Sequence, residues 1–355
     1  VFETESFLYQ FFIQNSIGKK NPLFPSGGLF DNGDGTDIWC KGFKEWASED
    51  GSPYTKLNSS QGHFVQLFLQ NRITLLSGGA GTGKTYAITA ILDMVRNLKN
   101  SPKKENELEF KFKNTIIQND EDGEEPFYDN SYEEENIGET IIALAAPTGK
   151  AAKRIEESTG EIALTIHRLL GCQGEDRFTF CKDNKLPYNL VIVDEVSMLD
   201  IFLARRLFEA LDDNTALILV GDHNQLPPVG AGNLLRDLIS TGIIPTTILT
   251  ETIRQAGDLK LNSNAILQGI VRPTANYTFP PHSQNPNDAY IPWMILNTSK
   301  DNQEVKNYIL SIFAQLYQQK GDQVLKDFQI LTPTNKGELG TRSLNIEIQR
   351  YYQYQ

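Results

Sequence analysis

The sequence predicts an α/β fold in which a parallel sheet carries helices on both faces, and three observations predict it. An apolar run, Ile73 to Leu76, passes into Gly78-x-x-x-x-Gly83-Lys84-Thr85 and then into a helical period marked by Ile88, Ile91, Leu92 and Val95. A second run, Leu190 to Val193, ends in two adjacent carboxylates, Asp194 and Glu195. Two further runs, Ile141 to Ala146 and Ala216 to Val220, end the same way in polar residues. Apolar runs without alternation belong to strands covered on both faces. A strand, a glycine-rich turn and a helix in that order is the context a phosphate-binding loop requires.

The loop comes first. In Gly78, Gly79, Ala80, Gly81, Thr82, Gly83, Lys84 and Thr85 the glycines let the backbone curl so that N–H groups face phosphate oxygens. The start of the following helix, expected over 86–98, adds partial positive charge. Lys84 is placed to reach β- and γ-phosphates and the Thr85 hydroxyl to sit on Mg²⁺. Upstream, a short helix over 63–69 follows Gln61, whose amide offers both a donor and an acceptor suited to adenine.

At the tip of the 189–193 strand, Asp194 is suited to hold Mg²⁺ and Glu195 to polarise an attacking water. Gln225, just past the strand ending at Asp222, is placed to touch a γ-phosphate. A further strand over 246–249 precedes Arg254, a candidate arginine finger. Pro147, Thr148 and Lys150 stand where the 141–146 strand turns into a helix, and a hydroxyl and cations there suit a phosphate backbone. Thr165 and His167 sit in an apolar stretch, where a histidine is usually structural. Residues 171–188 carry turns on both sides of Arg177 to Cys181 and read as a protruding hairpin.

The remaining segments are less explicit. Residues 1–55 hold an aromatic run, Phe7 to Ile13, a turn-rich piece over 22–35, and Trp39 and Trp46. They read either as a small subdomain or docking segment or as an extension of the core. Residues 103–139 read as an acidic insertion, either a mobile loop or a partner-binding segment. A helix over 304–317, a strand over 328–333 and then Asn335 and Lys336 read as the start of a second α/β unit. The domains expected are 1–55, 56–245 and 246–355.

The net charge of −12 offers no support for nucleic-acid binding, but ten carboxylates of the insertion between Asp120 and Glu139 supply most of it. Cys40, Cys172 and Cys181 have no metal spacing and read as free thiols of a reducing, cytoplasmic compartment. No apolar run approaches a membrane span. The chain opens on Val1 and closes inside a helical pattern, which reads as a piece of a longer protein.

The motifs taken together resemble a known family. Gly78 to Thr85, Ala146 to Ala152, Thr165 to Gly171, Val193 to Met198, Gly221 to Val229 and Thr252 to Gln255 follow the order found in superfamily 1B DNA helicases. The Pro-Thr-Gly-Lys-Ala-Ala and Thr-Ile-His-Arg-Leu-Leu-Gly stretches resemble RecD, the α-subunit family of exodeoxyribonuclease V, and its stand-alone relatives, from about residue 57 onward. The resemblance implies RecA-like motor domains with ATP in a cleft between two of them. It also implies Mg²⁺ as cofactor and 5′-to-3′ movement on single-stranded DNA. It assigns Gln61 to adenine, and Lys84, Thr85, Asp194 and Glu195 to hydrolysis. Gln225 would couple nucleotide state to DNA, and Arg254 would touch the γ-phosphate. Pro147, Thr148, Lys150, Thr165, His167, Asn335 and Lys336 fall along the DNA, and 171–188 becomes a strand-splitting pin. RecB- and RecC-like subunits are the partners of the complexed form, which the lack of a helix-hairpin-helix pattern in the first 55 residues favours. Later family motifs have no counterpart before Gln355, so little activity is expected of these residues alone. Two other classes fit fewer motifs: a phosphate-loop ATPase of switch or clamp-loader type, and a non-catalytic scaffold.

Overall fold

The structure is a computed structural model that describes residues 2–23, 56–97, 109–110, 139–140, 142–174, 177–251, 258–271 and 301–353. The chain divides into two units, 1–255 and 256–355. The expectations for Trp39, Trp46, Arg254 and nearly all of the acidic insertion lie outside the described residues.

The first unit is built on six strands: Ile73–Gly78 (β1), Ile142–Ala146 (β4), Ala163–Thr165 (β5), Leu190–Val193 (β6), Ala216–Gly221 (β7) and Thr246–Leu249 (β8). They lie in the order β5-β4-β6-β7-β1-β8, and every neighbouring pair is parallel. Two short strands, Glu109–Phe110 (β2) and Glu139–Thr140 (β3), pair with each other at the two ends of the acidic insertion.

Alternation within each strand fills two cores. Ala216, Ile218 and Val220 of β7 face one core, while Leu217 and Leu219 face the other. Leu190 and Ile192 against Val191 and Val193 do the same in β6. Helices Ser59–Gln70 (α2), Lys84–Asn97 (α3) and Gly149–Thr159 (α4) cover the first face, with Phe64, Phe68, Ile88, Ile91 and Ile155 buried beneath them. Helices Phe2–Ser16 (α1), Ile166–Leu169 (α5), Ile201–Ala210 (α6) and Leu234–Thr241 (α7) cover the second. Burial on both faces is what makes the strands read as unbroken apolar runs.

α1 is an extension of this core. Phe11 stacks on Phe208 of α6 at 5.1 Å between ring centroids, and Phe12 meets the same ring edge-on at 5.0 Å. The buried Arg72 ties α1 in place by donating to the Asn15 side chain, to Asp212 O at 2.6 Å and to Thr215 O at 3.1 Å. α2 begins at Ser59, four residues before the 63–69 expectation. Asn58 and Gln61 cap it reciprocally, each side chain accepting from the other's backbone N–H.

β8 corrects the expected boundary at 246. It is hydrogen-bonded along β1, Leu75 opposite Thr246 through Gly78 opposite Leu249, so it completes the first sheet. The hairpin also differs from a free protrusion. A single antiparallel bridge joins Cys172 and Phe178, and Phe178, Phe180 and Tyr188 pack on the second core.

The second unit is helical in its described residues, with Asp258–Leu267 (α8), Asn302–Lys320 (α9), Val324–Asp327 (α10) and Thr341–Gln353 (α11). Phe313, Tyr317, Phe328 and Tyr351 form its aromatic cluster. The strand expected over 328–333 is not formed, since no other strand lies among the described residues of this unit to pair with it.

Candidate active site

Because β1, β4, β6 and β7 run parallel in matched register, their carboxyl ends share one edge of the sheet. That edge is where open α/β sheets bind ligands. It brings together the 78–85 loop, Asp194 with Glu195, and the turn from Asp222 to Gln225, segments that are far apart in the sequence.

The loop is folded as a cradle. Gly81 and Gly83 have φ of 77° and 86°, values open to glycine. A Cβ on Gly78 would sit 2.6 Å from Thr82 Oγ1 and 3.0 Å from Leu249 Cβ, so the first glycine is fixed by β8 packing behind it. Thr82 Oγ1 donates to Gly79 O at 2.9 Å. Lys84 opens α3 and turns back over the loop, its Nζ donating to Gly78 O at 2.5 Å and Gly79 O at 3.1 Å. The ammonium is thus held above the cradle where phosphate oxygens can replace the carbonyls. Thr85 stands beside it in the first turn of α3, half-buried.

The carboxylates at the tip of β6 differ in environment. Asp194 accepts from the Glu195 N–H at 2.8 Å. Burial pushes its carboxyl up to about 6, the adjacent Glu195 charge adds to this, and the charges of Lys84 and Arg154 oppose it. Glu195 has φ of 54°, the single non-glycine residue with positive φ among those described. Such a conformation costs about 1–3 kcal/mol and persists only where the surroundings impose it. Its Oε2 is buried with no hydrogen-bond partner. Glu195 thus presents a buried carboxylate oxygen without a hydrogen-bond partner at the same sheet edge as the loop. Among the described residues no group of three or more His, Cys, Asp or Glu could hold a metal by itself. This donor set suits Mg²⁺, which keeps waters and binds through one or two carboxylates plus phosphate oxygens.

Gln225 lies on the Asp222 turn. Its N–H donates to Asp222 O at 3.1 Å, and its Oε1 lies 3.4 Å from Ser197 Oγ, four residues beyond the β6 tip when counted from Val193. A link that sequence reasoning missed joins this turn to the loop. His223 Nδ1 lies 2.7 Å from the buried Ser77 Oγ at the end of β1, and the His223 N–H donates to the same oxygen at 3.3 Å. Ser77 precedes the loop by one residue and His223 precedes Gln225 by two, but only the β1–β7 adjacency makes the pair visible.

The candidate DNA residues separate into two groups. Pro147, Thr148 and Lys150 leave β4, and Thr165 and His167 leave the adjacent β5, where Ala146 pairs with Thr165. Thr148 and Thr165 both act as helix N-caps, accepting from Ala151 N at 3.3 Å and Arg168 N at 3.2 Å. Their hydroxyl protons remain free to donate. His167 and Lys150 are exposed, and the His167 ring lies 6.3 Å from Phe178 of the hairpin. In the second unit, Asn335 accepts from Thr341 Oγ1 at 2.9 Å, and Lys336 lines an open groove of about 480 Å³ with Arg342 and Arg350.

Gln61 is 1% exposed, its amide donating to Thr82 O and Gly83 O at the end of the loop and its carbonyl accepting from Asn58 N.

This fold and edge define a phosphate-loop nucleotide-binding domain. Residues 56–276 match the family described as AAA domain, and the chain belongs to that family. It is similar to the RecBCD enzyme subunit RecD of Mycobacterium tuberculosis, with 34% identity over 193 residues covering 49% of this chain and 28% of the relative. It is also similar to the ATP-dependent RecD2 DNA helicase of Deinococcus radiodurans, with 30% identity over 299 residues covering 83% of this chain and 33% of the relative. The chain therefore spans about a third of the length of these relatives. Among solved structures, the Pif1 helicase of Candida albicans matches at 21% identity and a TM-score of 0.36, over 61% of this chain and 45% of that one.

Proposed function

We propose that this chain carries the nucleotide-hydrolysing motor of a DNA helicase of the RecD type, using ATP with Mg²⁺. The observation that carries the reading is Glu195, strained and with an unpartnered buried oxygen beside the Lys84 cradle. Similarity to the RecD subunit and to the RecD2 DNA helicase supports the same reading. In it, loop N–H groups and Lys84 hold the β- and γ-phosphates. Thr85 and Asp194 would hold Mg²⁺, which when bound neutralises charge developing on the phosphates. Glu195 takes a proton as water attacks the γ-phosphorus and the bond to the bridging oxygen of ADP breaks. Gln225, held through Ser197 and its turn, reads the γ-phosphate. Arg254 is assigned the finger role by resemblance alone.

Single-stranded DNA is the proposed polymer substrate, tracked 5′ to 3′, with Pro147, Thr148, Lys150, Thr165 and His167 on the first unit and Asn335 and Lys336 on the second. RecB- and RecC-like partners and a cytoplasmic setting follow from the RecD relatives only. No helix among the described residues is long and apolar enough to cross a membrane. The test is ATP turnover measured against added single-stranded oligonucleotide. Stimulation by the oligonucleotide is expected. ATP turnover indifferent to DNA would instead favour a switch-type ATPase.

A further inference from the structure

Ser77 is 0% exposed and stands one residue ahead of Gly78, the first glycine of the phosphate loop. In the sheet it lies opposite Gly221, the last residue of β7. The chain leaving Gly221 folds back over the end of β1, and His223 meets Ser77 twice. The ring Nδ1 lies 2.7 Å from Ser77 Oγ, and the His223 N–H donates to the same oxygen at 3.3 Å. A hydroxyl has one proton and two lone pairs. With a lone pair taken by the N–H, the proton is left for Nδ1, a pairing that suits a neutral ring with its own proton on Nε2.

His223 is held from the other side as well. Its carbonyl accepts from Arg236 Nε of α7 at 2.9 Å. The peptide planes before and after His223 are therefore both pinned, one by β1 and one by α7. Within the turn, Asp222 accepts the Asn224 N–H on its side chain at 3.0 Å and the Gln225 N–H on its carbonyl at 3.1 Å. Gln225 follows His223 by two residues, within about 7 Å of chain, and is exposed. Its contact with Ser197 Oγ is long, at 3.4 Å, and holds it weakly.

We infer that Ser77 and His223 are a positioning pair. Their hydrogen bond fixes the Gln225 turn to the root of the phosphate loop and so sets whether Gln225 reaches the γ-phosphate. The inference rests on the nucleotide-site reading above and deepens it. Neither residue has to touch the nucleotide, since both act through Gln225.

The pair bears on discrimination between a nucleotide with a γ-phosphate and one without. Affinities for a fluorescent non-hydrolysable ATP analogue and for fluorescent ADP, with Mg²⁺ present, give that ratio. It is read on one preparation, so partial misfolding does not alter it. Ser77→Ala and His223→Ala are each expected to lower the preference for the ATP analogue about tenfold, the loss of one hydrogen bond to a charged group. ADP affinity is expected to stay within about twofold. Gln225→Ala is expected to give the same loss, and adding Ser77→Ala to it to change nothing further, because both remove one contact. His223→Asn is expected to keep the ratio within about twofold of wild type, its Oδ1 accepting the Ser77 proton in place of Nδ1. A merely structural pair would lower the melting temperature and leave the ratio alone. An unchanged ratio in Ser77→Ala or His223→Ala would overturn the inference. So would a further fall on adding Ser77→Ala to Gln225→Ala, or loss of the preference in His223→Asn. Failure of the wild-type protein to bind either nucleotide would instead overturn the nucleotide-site reading itself.

Discussion

At the residue scale, Lys84 and Asp194 give opposite kinds of forecast. Lys84 is half-buried, and its ammonium donates to two carbonyls of its own loop. Lys84→Ala is expected to abolish nucleotide binding, seen by calorimetric titration, while the melting temperature of the nucleotide-free protein changes little. Retained affinity would remove the loop from the site. Asp194 carries a burial cost instead. Its carboxyl rises from 3.8 to about 6 in the folded chain, so the charged form is disfavoured there. Well below pH 4 both states hold the proton and nothing is lost; the cost grows as the unfolded carboxyl ionises and is fully present above pH 6, where burial of the ionised group costs about 3 kcal/mol. In nucleotide-free protein with Mg²⁺ chelated, Asp194→Asn is expected to raise the melting temperature at pH 7 and to do so much less near pH 4. A lower melting temperature at pH 7 would show that the ionised carboxylate is stabilised in a way the structure does not contain. Both residues were legible in the sequence because each sits in a short motif at a strand end. The inward turn of Gln61 and the Ser77–His223 bond were not. Each depends on partners 21 to 146 positions away that only the folded sheet brings close.

At the element scale, the four central strands are legible because burial on both faces makes them nearly continuous apolar runs, broken only by Thr74 and Ser77 of β1. The sequence marks β8 as a strand but does not say which sheet it joins. Its pattern of half-buried, buried, exposed and buried residues is that of an edge, and sequence gives an edge no address. The 328–333 run shows the converse limit, since an apolar run is a strand only where a partner strand exists. α1 was the least legible, because its apolar residues fit a docking segment as well as a core helix. Its attachment makes a direct forecast. Phe12 is 1% exposed between Phe11 and Phe208, and Phe12→Ala is expected to cost about 3–5 kcal/mol in denaturant unfolding of the first unit. Arg72→Met removes a buried guanidinium holding Asn15 and two carbonyls and is expected to cost about 3 kcal/mol. A change below about 0.5 kcal/mol in both would mean that α1 is not part of the folded core.

At the scale of the whole molecule, the charge of −12 is concentrated in one acidic segment and describes the rest of the chain poorly. At the carboxyl edge of the sheet, Lys84 and Arg154 oppose the burial cost of Asp194, a local charge balance that the net charge does not show. In the proposed reading, Glu195 is the base that activates water at this edge. The most direct measurement is ATP binding and ATP turnover of wild type and Glu195→Gln, each with and without single-stranded oligonucleotide. The expected result is near-normal ATP affinity in Glu195→Gln, with turnover reduced by orders of magnitude in every condition, because an amide cannot take the proton from water. Turnover near wild type would contradict the claim, as would loss of ATP affinity with the fold intact, which would make Glu195 part of the metal site.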